Sequence, residues 1–213
     1  MSPQPSSWFY ARTGKRCFDL AIAVPLLAFS LPVLGGIALV VTVTMGWPPW
    51  FRQLRGGLAG QPFWLLKFRS MTSAVDAQGK LLPDAQRLTR LGQWLRKTSL
   101  DELPQLWNVI RGDMSLVGPR PLLHRYVERY SPTQARRLDV RPGITGWSQI
   151  NGRNALSWEE KFELDVWYVD HLCWRLDLTI LAATVGRLMR PRGISADGEA
   201  TMKEFMGTGP DKR

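Results

Sequence analysis

The sequence predicts an α/β chain that is mostly helical, with a re-entrant N-terminal membrane helix-hairpin and a small cytosolic domain carrying interfacial amphipathic helices. Three observations predict it. Leu20 to Gly46 is a run of 27 residues without one charge, interrupted by Pro25 and Pro32. Basic residues flank the run on both sides, Arg12, Lys15 and Arg16 before it and Arg52 and Arg55 after it. Behind it, a strand-like segment precedes apolar stripes at helical spacing.

The apolar run comes first. Its length argues against a signal peptide, whose apolar region covers about 7–15 residues. A single straight span needs about 20 residues, but here it would strand cations on the far side, whereas positive charge collects on the cytoplasmic side. A hairpin satisfies both flanks. Pro32 removes one bond of the helical ladder, and the arms of 12 and 15 residues would reach about 18 and 22 Å. Neither comfortably crosses about 30 Å of hydrocarbon. Ser30 stands where a hydroxyl can help backbone groups freed at the bend.

After Pro48-Pro49 and Gly56-Gly57, PFWLLKFRSM reads as a strand with Lys67 and Arg69 on one face. A solvated strand face is the plain alternative. Residues 73–86 read as a polar loop. Leu88 to Trp107 reads as helix around a break, because Pro104 tolerates only a first turn. Two loops follow, VGPRPLL at 117–123 and DVRPGITGWSQINGRN at 139–154. Their glycines let backbone approach a ligand, and Arg120, Arg141 and Arg153 can fork phosphate oxygens. Ordinary turns bearing surface arginines would look the same. Ser157 to Met189 reads as two amphipathic helices. The second, WRLDLTILAATVGRLMR, carries Arg175, Arg187 and Arg190 and suits either an interface or a core.

At 213 residues the chain suits one domain. Two cysteines make no disulfide framework, which points to a reducing compartment. A net charge of +10 draws polyanions: nucleic acid, anionic lipid or phosphorylated substrates. Ten tryptophans favour the water–bilayer boundary among these. Against that charge, TSLDELPQLWNVIRGDMSLVGPRP at 98–121 sets Asp101 and Glu102 side by side among Arg96, Lys97 and Arg111. One reading is a capping box in which Glu102 closes a helix turn begun at Ser99. The other is a site, since the positive end of a helix favours ionised carboxylates and attracts phosphate.

Five blocks decide between classes of function. KRCFDLAIA at 15–23, KFRSM at 67–71, SLDELPQLWNVIRGDMSLVGPRP at 99–121, RPGITGWSQINGRN at 141–154 and KFELDVWYV at 161–169 stand in order over nearly the whole chain. On these blocks the chain resembles the bacterial sugar transferases, small monotopic phosphoglycosyl transferases. The resemblance implies transfer of a sugar-1-phosphate from a UDP-sugar to undecaprenyl phosphate, with release of UMP, at the cytoplasmic face of the bacterial inner membrane. It also implies a re-entrant helix broken at Pro32 and an Asp101-Glu102 dyad holding Mg²⁺. Asp101 would be the nucleophile, and Glu102 would orient the metal or manage protons. Lys67, Arg69, Arg96 and Arg120 would stabilise the transferring phosphoryl group and the lipid phosphate. Arg141, Gly143, Gln149, Asn151 and Arg153 would hold the nucleotide. The division implied is an N-terminal flank (1–14), a membrane helix (15–50), a catalytic domain (51–202) and a flexible tail (203–213), with no role for nucleic acid. Two departures stand out: Leu31-Pro32 where relatives often have Ser-Pro, and Gly56-Gly57 where they often have Pro-Gly. A membrane-anchored basic adaptor and a direct attack by the lipid phosphate are the competing readings. The first would ignore Asp101, and the second would form no adduct on it.

Overall fold

The structure is a computed structural model and describes residues 10–152, 156–189 and 204–207. A short π-helical turn, Tyr10–Gly14, leads into α1, Lys15–Met45. A hairpin follows, β1 (Trp50–Gly56) and β2 (Pro62–Phe68), antiparallel with Trp50 opposite Phe68 and Gly56 opposite Pro62. Then come α2 (Arg90–Thr98), α3 (Gln105–Arg111) and β3 (Ser115–Val117). The last part holds β4 (Gly143–Thr145), α4 (Trp147–Asn151), α5 (Trp158–His171) and α6 (Trp174–Met189). β3 and β4 pair in parallel. Helix dominates and the two sheets are small, as the sequence predicts.

α1 departs from the expected hairpin. It runs as one helix of 31 residues through Pro25 and Pro32 instead of separating into two arms. Each proline costs one ladder bond and sets its ring against the carbonyl four residues earlier. Packing along the whole length offsets that. Phe18, Ile22, Ala23 and Leu27 join a core with Leu106, Val109, Leu116 and Ile180. Leu34, Ile37 and Val41 join Phe68 and Leu95 in a second cluster. The stripe recurs every three or four residues, as one helical face must. The Ser30 hydroxyl donates to the Leu26 carbonyl at 2.6 Å, not to the carbonyl of Ala28 that Pro32 leaves without its helical donor. The opposite face is bare: Phe29 is 84% exposed, and Leu31, Leu39 and Val43 are exposed with it. By length and composition α1 could cross a membrane.

Two of the flanking cations are tied to the domain. Lys15 is buried and donates to Asp177 Oδ2 on α6 at 2.6 Å. Tyr10 donates to that same oxygen and Tyr168 to Asp177 Oδ1, both at 2.7 Å. Arg16 caps the end of α3 through the carbonyls of Val109 and Ile110. Asp19 accepts from Ser115 Oγ and Leu116 N, each at 3.0 Å. These bonds seat the start of α1 on the domain. At the other end of the chain, Glu204–Gly207 was expected to lie in a flexible tail. Instead Phe205 is buried against Tyr126, Tyr130, Trp158 and Phe162.

Candidate active site

α2 begins at an N-cap, Thr89, whose hydroxyl accepts from Gly92 N. It ends at Ser99, which adopts left-handed backbone at φ 57°. A serine there carries a steric cost that only its surroundings can hold. The reversal aims the next turn, Leu100–Glu102, at β2. Leu103 and Pro104 keep helical dihedrals, so the turn feeds directly into α3.

The capping-box reading of Ser99 and Glu102 is overturned by this geometry. Ser99 makes no side-chain cap bond. Glu102 reaches away from its own helix: its Oε1 accepts from Lys67 Nζ at 2.6 Å and from Arg120 Nη2 at 2.7 Å. Burial pushes the Glu102 carboxyl upward, but Arg120 and Lys67 outweigh it and hold the group well below the usual carboxylate range. Glu102 in turn raises the Arg120 guanidinium. True capping boxes form elsewhere, at Ser131–Gln134 and Ser157–Glu160.

Asp101 behaves differently from its neighbour. It is 6% exposed and accepts no hydrogen bond from any described residue. Burial pushes its carboxyl up to about 6, Lys67 opposes the rise, Glu102 adds to it, and Arg96 and Arg120 oppose it further. Arg96 is held for this by Ser70 Oγ, 3.0 Å from its Nε. Adjacent carboxylates with environments that separate their titrations are a recurrent sign of divided chemical roles. One is ionised and locked; the other is buried, unbonded and close to cations.

Of the residues predicted for the site, Lys67, Arg96 and Arg120 surround the dyad. The others bond elsewhere. Arg69 donates to the Met45 carbonyl at 3.2 Å, capping the end of α1 where carbonyls lack helical partners. Arg141 donates to Gly112 O at 2.9 Å at the end of α3. Gln149 donates to Ile144 O and Asn151 to Trp147 O, each within its own loop or helix. Gly143 serves backbone packing: a Cβ there would stand 2.1 Å from Gly118 N. The two arginine-rich loops press on each other there. Arg153 lies outside the described residues. An open apolar cleft between α4 and α5, lined by Trp147, Leu164 and Trp167, contains no dyad residue.

Two supporting residues escaped the sequence reading. Arg137 Nη2 donates to Arg120 O at 2.7 Å, which fixes the Gly-Pro-Arg-Pro turn. Asp165 pairs with that guanidinium at 2.7 Å, both side chains 3% exposed, and also accepts from Ser148 Oγ. Asp165 lay in a quoted block without a role; nothing local marks Arg137 among its neighbouring arginines.

No three His, Cys, Asp or Glu residues gather as a metal cage among the described residues. The dyad nevertheless fits Mg²⁺. That ion is ordinarily held by one or two carboxylates together with substrate phosphate oxygens, and both direct partners of Glu102 fall on Oε1.

Comparison with known proteins identifies the family. The family model for bacterial sugar transferases matches residues 10–191. The chain is 53% identical over 195 residues to the uncharacterized sugar transferase EpsL of Bacillus subtilis, covering 92% of this chain and 96% of that protein. It is 40% identical over 187 residues to the UDP-glucose:undecaprenyl-phosphate glucose-1-phosphate transferase of Caulobacter vibrioides, covering 82% of this chain and 69% of the relative. It is 40% identical over 202 residues to the UDP-galactose-lipid carrier transferase of Erwinia amylovora, covering 86% of this chain but 42% of the relative. The chain belongs to the bacterial sugar transferase family.

Proposed function

We propose that the chain moves a sugar-1-phosphate from a UDP-sugar to undecaprenyl phosphate through a covalent intermediate on Asp101. The observation that carries this is Asp101 itself, a buried carboxylate with no described hydrogen-bond partner, beside Glu102, Lys67, Arg96 and Arg120. A carboxylate held only for structure would be bonded. In the first step an Asp101 oxygen attacks the β-phosphorus of the donor. The bond from that phosphorus to the bridging oxygen breaks, and UMP leaves with the bridging oxygen. In the second step an oxygen of undecaprenyl phosphate attacks the same phosphorus, the bond to Asp101 breaks, and the carboxylate returns. Lys67, Arg96 and Arg120 stabilise charge on the transferring oxygens in both steps. Mg²⁺, held by Asp101 and Glu102, would offset repulsion between the anionic nucleophile and the diphosphate.

The same reading places the domain on the cytoplasmic face of the inner membrane, with both ends of α1 on that side. Its support is the packing: the longest interval of α1 without a core contact, Leu27 to Leu34, is about two turns. A crossing needs about 20 residues surrounded by lipid. With Cys17 and Cys173 replaced by serine, single cysteines at Ser7 and Ser73 should resist an impermeant maleimide in intact spheroplasts and react after lysis. External labelling at Ser7→Cys would mean a true crossing.

The chemical test uses purified protein and a panel of UDP-sugars. Incubation with the right donor alone should add one sugar phosphate to the intact mass, and undecaprenyl phosphate should remove it. Asp101→Asn should gain no mass and release no UMP. Steady turnover without any adduct, with convergent instead of parallel kinetics, would mean direct attack by the lipid phosphate.

A further inference from the structure

We propose that Arg55 is a further phosphate-binding residue of this site, acting with Arg120 to grip an anionic phosphoryl group. The inference rests on the transferase reading for the identity of the phosphate, though not for its presence. Arg55 lies on β1 opposite Phe63, and its strand is sewn to the turn that carries Arg120. Gly56 N donates to Leu122 O at 3.0 Å, and Arg55 bridges Leu123. The Arg55 guanidinium donates through Nη1 to Pro121 O at 3.1 Å and through Nη2 to Gln53 Oε1. Its Nε is sealed from solvent without any partner.

What this guanidinium lacks is an anion. Among the described residues no carboxylate lies within ion-pair range of Arg55, while Arg120 and Lys67 share a single oxygen of Glu102. Lys67 and Arg120 thus already occupy the Glu102 carboxylate, and among the described residues no carboxylate pairs with Arg55. A half-buried guanidinium beside a second one is disfavoured on two counts, loss of hydration and like-charge repulsion. Burial and then Arg120 pull Arg55 down to about 10, which reports that strain. A bound phosphoryl group relieves it. The planar fork suits two oxygens of one phosphate, a geometry that ammonium does not reproduce. Fastening the turn is a weaker account of Arg55, because a carbonyl acceptor at Pro121 needs no buried charge and leaves Nε unexplained.

The phosphate has two sources, the donor diphosphate and the lipid monophosphate, and the test separates them. Thermal unfolding of the full-length protein in detergent is measured with UDP, with a short-chain polyprenyl phosphate, or with chloride at matched ionic strength. Without either phosphate, Arg55→Gln should melt at or above the wild type, since it removes an uncompensated charge. The wild type should shift upward with at least one phosphate, Arg55→Gln should lose that shift, and Arg55→Lys should recover part of it. In turnover, Arg55→Gln should raise KM at least tenfold for the substrate whose phosphate gave the shift, with a smaller change in kcat. The arm that responds names the source. A lower melting point for Arg55→Gln in chloride, or an undiminished phosphate shift, would overturn the proposal. The unfolding arms decide Arg55 even if no UDP-sugar is turned over, so the two readings fail separately.

Discussion

Replacing the proposed nucleophile should make the protein more stable. Asp101 is buried, and its carboxyl titrates near 6 instead of its ordinary 3.8, so the folded state holds a proton that the unfolded chain releases. A folded value above the unfolded one gives stability that is full below 3.8 and is lost as pH rises through 6. At about 1.4 kcal/mol per tenfold, that interval corresponds to on the order of 3 kcal/mol against the folded state at pH 7. Asparagine keeps the shape and carries no charge at any pH. In metal-free protein, Asp101→Asn should therefore match the wild type near pH 4 and gain steadily toward pH 7. With about 2–4 °C per kcal/mol for a chain of this size, the upper limit is roughly 6–12 °C. Scanning fluorimetry in detergent with EDTA, between pH 4 and 7.5, measures the difference. Magnesium should narrow it by neutralising the carboxylate. The same variant should release no UMP. A melting point below the wild type at pH 7, or a difference independent of pH, would refute the reasoning.

Glu102→Gln should act in the opposite sense. Its carboxyl is held below the ordinary 4.5 by Arg120 and Lys67 despite burial, so its contribution is present above that pH and lost on acidification. The variant should melt lower at pH 7, approach the wild type as pH falls below about 4, and lose at least about 100-fold in activity. EDTA should abolish turnover and excess Mg²⁺ restore it; full activity with metal absence confirmed by elemental analysis would contradict that. Asp165→Asn leaves Arg137 buried without its anion, which should cost about 3–5 kcal/mol. It should also reduce kcat by loosening the turn that carries Arg120; an unchanged melting point would exclude that role.

Much of this protein was legible without its fold, because the informative chemistry is contiguous. An uncharged run from Leu20 to Gly46 declares an apolar helix by composition alone. The helix read from Ser157 onward forms, with Ser157 as its N-cap. Asp101 and Glu102 are neighbours in the chain, so a carboxylate pair among cations was visible in one window. What stayed hidden depends on distant partners. Whether Glu102 caps a helix or meets cations was decided by Lys67 and Arg120, 35 and 18 residues away. Arginines are alike in a sequence, yet Arg69 and Arg141 found orphaned carbonyls at helix ends while Arg120 found a carboxylate. Arg55 looked like a membrane flank until β1 was laid beside the turn at Pro121. Pro32 promised a break that packing on Phe68 and Leu95 overrode. Local propensity is a matter of a few kcal/mol, and long-range burial exceeds it. Composition and local pattern determined the apolar helix and the carboxylate pair; the tertiary structure alone decided which cation answers which oxygen.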